Sequence, residues 1–160
     1  LIRVCYISVK EMFSFIGVLM LGAILATILS MAAFSDGMKV EAAELTIGPA
    51  FIGEILFTFM LVWVIMNVAT AKANAGNQFY GIAIGFTVIG AIYAIGIVSL
   101  AVLNPAVAIA LLIIGKLSLT QLWIPLTGSL IGAITAVVTF NLCLQRDGCP
   151  DGDDETCIPD

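Results

Sequence analysis

The feature that constrains this chain most is an apolar helix of the wrong length. Asn104-Pro105 is a helix-start signal. Asn is a favoured N-cap, and Pro suits the first helical position, where its missing N–H is no loss. The stretch that follows is apolar on every side and stops at Gly115-Lys116. A helix over 105–115 extends about 16 Å, against a bilayer hydrocarbon core of roughly 30 Å. It is half a span. Such a segment starts near the midplane, ends at one surface, and points the unpaired N–H groups and positive dipole end of its N-terminus into the bilayer centre. Backbone broken at that depth persists only where protein buries it or a wet cavity hydrates it.

Composition supplies the medium. The chain is 61% hydrophobic and 11% charged, with several apolar runs long enough to span, which makes it a multi-pass integral membrane protein in contact with lipid. Spans are expected over 12–34, 50–71, 79–99 and 122–143. A polar connector at 35–49 is punctuated by Gly37, Gly48 and Pro49, and a turn-rich loop occupies 72–78. Gly81 and Gly85 share a spacing that permits close helix contact; Gly22, Gly128 and Gly132 are read the same way. The expected fold is an all-α polytopic bundle of four transmembrane helices and one re-entrant half-helix, occupying 1–146.

The net charge of −5 reports the tail at 147–160, where six of the eleven acids lie. That tail lacks the alternation and terminal Glu of an EF-hand loop, so it is expected to be a solvated, disordered cytoplasmic segment with Cys149 and Cys157 reduced. The four cysteines show no metal-ligand spacing and the chain contains no histidine. No metal, cofactor, catalytic group or nucleic-acid partner is therefore expected. Among basic residues, Arg3, Lys10, Lys72 and Arg146 fall on one side of four alternating spans, and Lys39 and Lys116 on the other. The larger set reads as cytoplasmic, with the half-helix dipping in from outside.

Sliding the chain by 110 residues aligns its start with the stretch after Asn104. Residues 7–13 fall on 117–123, and Leu21-Gly22-Ala23-Ile24 falls on Ile131-Gly132-Ala133-Ile134. Two copies an odd number of spans apart have opposite topology, a transporter and channel signature. The same shift puts a counterpart of Asn104 upstream of Leu1. A fragment lacking two spans and a first half-helix is expected.

Asn104-Pro105-Ala106 after Ser99-Leu-Ala-Val-Leu, with Glu54 two spans earlier, resembles the aquaporin (major intrinsic protein) family. The stretches 54–62 and 79–88 look like its fourth and fifth transmembrane helices. The resemblance covers 1–143, helices three to six with the second half-helix. It implies a homotetramer with one pore per subunit, conducting water or small uncharged solutes.

On this reading Asn104, Pro105 and Ala106 form the pore motif, with the Asn104 carboxamide donating to a passing solute oxygen. The bland alternative is an ordinary N-cap. Glu54, costly in a span by ~2.5–3.5 kcal/mol, becomes a buried brace accepting from backbone N–H groups of the re-entrant loop. Its alternatives are a proton-coupling carboxylate or a snorkelling side chain. Carried over by position, Ile92, Ala101 and Val107 belong to a selectivity ring. Many family members have Arg where this chain has Val107, so the ring loses a fixed cation and glycerol or urea is expected to pass beside water. A proton-coupled secondary transporter using Glu54 and a non-conducting structural membrane protein stand as rivals; an enzyme fits least.

Overall fold

The computed structural model describes residues 9–34, 41–71 and 74–144. Regular structure there is wholly helical: α1 (Val9–Ala33), α2 (Ile47–Thr70), α3 (Tyr80–Ser99), α4 (Pro105–Ile114) and α5 (Trp123–Leu144). Four of these are long and apolar enough to cross a membrane, and α4 is the short one at 10 residues. The expected acidic tail, the matching loop around Ser8, and Arg3, Lys39, Lys72 and Arg146 lie outside the described residues.

Helix starts differ from the sequence expectation in one informative place. α2 begins at Ile47, so Gly48 and Pro49 sit in its first turn and do not precede it. First-turn N–H groups have no intrahelical acceptor, so a proline there removes no hydrogen bond. The α2–α3 turn is held by asparagines. Asn74 Nδ2 donates to the Asn67 carbonyl at 3.0 Å and Asn77 Nδ2 to the Val68 carbonyl at 2.6 Å, covering carbonyls at the end of α2 that the helix leaves open.

α2 is the hub, packed along α5 on one side and α3 on the other, while α4 packs against α1 and α5. Glycines let α5 approach. A Cβ at Gly128 would stand 2.8 Å from the Glu54 Cβ, and one at Gly132 would overlap the Ile55 carbonyl oxygen. The Gly128-xxx-Gly132 face therefore puts α5 directly on the turn of α2 that carries Glu54. Trp63 then closes edge-on against Phe140 with ring centroids 5.6 Å apart. Gly22, Gly81 and Gly85, expected from their spacing to be packing sites, meet open space. α1 and one stripe of α3 (Ile82, Phe86, Ile89, Tyr93, Ile97) stay exposed, an apolar surface of the kind a bilayer covers.

Candidate functional site: a braced half-helix

Between α3 and α4 the chain makes a turn that its residue types do not favour. Leu100, Ala101 and Leu103 all adopt positive φ, at 68°, 47° and 53°. For residues with a Cβ this left-handed conformation costs roughly 1–2 kcal/mol each. No glycine relieves it, so the surroundings must hold it.

Glu54 does the holding. It is 0% exposed. Its Oε1 accepts from Ser99 Oγ at 2.7 Å and from the Val102 N–H at 2.9 Å, and its Oε2 accepts from the Leu103 N–H at 2.8 Å. Ser99 Oγ accepts in turn from the Ala101 N–H at 3.1 Å. Three successive amides of the strained loop are thereby satisfied, directly or through Ser99. Hydrogen bonds to a carboxylate contribute ~1.5–3 kcal/mol each, the right size to offset the backbone strain.

α4 starts where that loop ends. Asn104 is its N-cap, with Oδ1 accepting from the Ala106 N–H at 2.9 Å, and Pro105 is the first helical residue. Since the oxygen faces the cap, the exposed Asn104 carboxamide keeps both N–H donors free of partners among the described residues. Ala106 is buried. At the far end Gly115, with φ 83°, closes the helix through N–H donation to the Leu112 carbonyl, as expected of a glycine C-cap. Ten residues extend about 15 Å, half a bilayer core.

Of the three ring candidates, Ile92 and Val107 are substantially exposed, at 52% and 40%. Ala101 differs. It is buried with Ala91, Ile95 and Leu103, flanked by Phe57 and Leu61, so its methyl group faces the packing between α2 and α3.

Two components carried no sequence signal. Ser99, the third donor to Glu54, read as the last residue of a span. The left-handed residues Leu100, Ala101 and Leu103 read as part of a continuous apolar sequence, because the usual marker of positive φ is glycine and the loop has none.

The family model described as Major intrinsic protein matches residues 1–140. A probable aquaporin of NIP type from Nicotiana alata is 36% identical over 94 residues, covering 59% of this chain and 34% of the relative. Aquaporin NIP3-1 of Arabidopsis thaliana is 37% identical over 93 residues, 58% of this chain and 28% of the relative. Nodulin-26 of Glycine max is 34% identical over 98 residues, 61% of this chain and 35% of the relative. The chain thus matches about a third of the length of these curated relatives. No solved structure matches.

Proposed function

Because this chain belongs to the major intrinsic protein family, we propose that it contributes one half-helix and its surrounding wall to a passive pore for water and small neutral solutes. The observation that carries the reading is the α4 tip. The half-span helix carries an Asn104 carboxamide whose N–H donors have no partner among the described residues, on a strained loop held by Glu54, and the proposal sets that tip at mid-depth. Two N–H donors beside the positive end of a helix dipole suit a solute oxygen and disfavour cations. Both oxygens of Glu54 are engaged by loop donors, which supports the brace over a proton-coupling site.

Val107 sets the proposed selectivity. It follows Asn104-Pro105-Ala106 with an apolar, half-exposed side chain that adds neither charge nor donor. Together with Ile92 it makes a less polar constriction, suited to glycerol or urea as well as water. In the assembled protein we take the pore to lie within each subunit of a homotetramer, as the family resemblance implies.

Stopped-flow swelling of proteoliposomes in water, glycerol and urea gradients tests this. Linear, non-saturating flux of all three is the expected result. Water-only flux refutes the broad selectivity, and saturable flux driven by a pH gradient replaces the pore with a transporter.

A further inference from the structure

Glu54 grips the re-entrant loop through its backbone, and a second fixture meets the same loop from another direction. Connector residues 41–46 lie across the end of α4. The Ala43 N–H donates to the Lys116 carbonyl at 3.0 Å. The Leu45 N–H donates to Gln121 Oε1 at 3.3 Å, and Gln121 Nε2 donates back to the Leu45 carbonyl at 3.2 Å. One carboxamide therefore serves both backbone groups of one residue, as a neighbouring strand would. The geometry needs an acceptor and a donor on the same side chain, which an amide supplies and a carboxylate does not.

The residue so gripped is buried. Leu45 packs in a cluster with Ala50, Val102, Ala108, Leu117 and Ile124. Val102 belongs to the strained loop and has its N–H on Glu54; Ala108 lies in the first turns of α4. Leu45 therefore anchors the connector to the element that carries Asn104.

We propose that Gln121 is a positioning residue of the pore, seating Leu45 against Val102 and Ala108 so that the half-helix is fixed from the connector side as well as by Glu54. The consequence for flux rests on the pore reading above; the clasp does not. Its charged surroundings are Glu41 and Glu44 on the connector and Lys116 after α4, with Ser118 Oγ donating to Gln121 Oε1 at 3.4 Å. All are shared by the variants below, so wild-type protein at each pH is the baseline.

The test uses the full chain in proteoliposomes as wild type, Gln121→Leu and Gln121→Glu. Amide hydrogen exchange at Leu45, referenced to wild type at the same pH, is expected to quicken roughly tenfold in Gln121→Leu, about the effect of one lost hydrogen bond. Gln121→Glu should quicken it by less near neutral pH, where its carboxylate still accepts from the Leu45 N–H while the other oxygen opposes the Leu45 carbonyl. It should regain protection as the pH falls to about 4, where an ordinary Glu carboxyl protonates and can donate again. The glycerol-to-water permeability ratio should follow the same pH profile in Gln121→Glu and stay flat in wild type. Unchanged Leu45 exchange in Gln121→Leu overturns the clasp. Faster exchange with an unchanged permeability ratio overturns the positioning role. Absent wild-type flux together with faster Leu45 exchange in Gln121→Leu overturns the pore reading and upholds the clasp.

Discussion

Replacing the Glu54 carboxylate by an amide would turn an NH2 group toward loop donors that now find acceptors on both oxygens. Glu54→Gln keeps the shape and removes one acceptor, leaving either a Val102 or a Leu103 amide facing a donor inside the bundle. The expected cost is about 1–3 kcal/mol, read as a lower unfolding temperature in detergent, with reduced flux because the Asn104 loop is no longer fixed. Unchanged stability with normal conduction would remove the brace from the account. Val107 is a different kind of residue, exposed and free of partners, so Val107→Arg should leave stability unchanged within about 0.5 kcal/mol. Its effect belongs to selectivity. A guanidinium one step past the motif adds bulk, charge and donors, and the glycerol-to-water permeability ratio should fall. Thr58 offers a third contrast. Its Oγ1 is buried and makes no hydrogen bond among the described residues, so Thr58→Val, which preserves shape, should stabilise by about 1 kcal/mol in the same unfolding assay.

Helices in this chain meet where small residues remove the obstacle, and that can be tested one glycine at a time. Gly132→Ala would push a methyl group into the Ile55 carbonyl, which is backbone and cannot swing aside. Separation of α5 from α2 is expected, destabilising by roughly 1–3 kcal/mol and loosening the turn around Glu54. Gly85→Ala meets open space within the subunit and should be neutral or favourable by up to about 1 kcal/mol through helix propensity alone. Comparing the two by thermal unfolding separates a packing glycine from a spaced one, a distinction the sequence does not contain. The spans, the half-helix and its Asn104 and Gly115 caps were legible because each follows from local chemistry: apolar length, an N-cap before proline, a glycine after the last turn. Glu54 was legible as an anomaly, since a lone acid in an apolar run needs a partner. Its donors were not, because amides of Val102 and Leu103 look like any other amides until the loop folds back. The Gln121–Leu45 pairing joins residues 76 apart in sequence, and no local pattern announces it.

At the scale of the whole molecule, the side from which α4 enters decides which membrane surface its C-terminal end and the connector share. The described helices alternate through four spans, and the connector at 41–46 meets the end of α4 through Ala43 and Lys116, which places both on one surface. The α2–α3 turn at 74–79 lies at the opposite end of α2. The sequence expectation assigns Arg3, Lys10, Lys72 and Arg146 to the turn side against Lys39 and Lys116, which predicts that side to be cytoplasmic. Single cysteines on a background with Cys5, Cys143, Cys149 and Cys157 replaced by serine can read the arrangement. Leu119→Cys, on an exposed site after α4, should label with a membrane-impermeant maleimide in intact cells. Ala75→Cys in the α2–α3 turn should label only after permeabilisation. Labelling of both from the same side would contradict the alternation, and exchange of the two would reverse the orientation that the charges favour. Either orientation leaves the positive end of α4 at the midplane, because a half-helix points its N-terminus inward from whichever surface it enters. On the pore reading proposed above, cation exclusion at Asn104 should therefore be equal for inward and outward gradients.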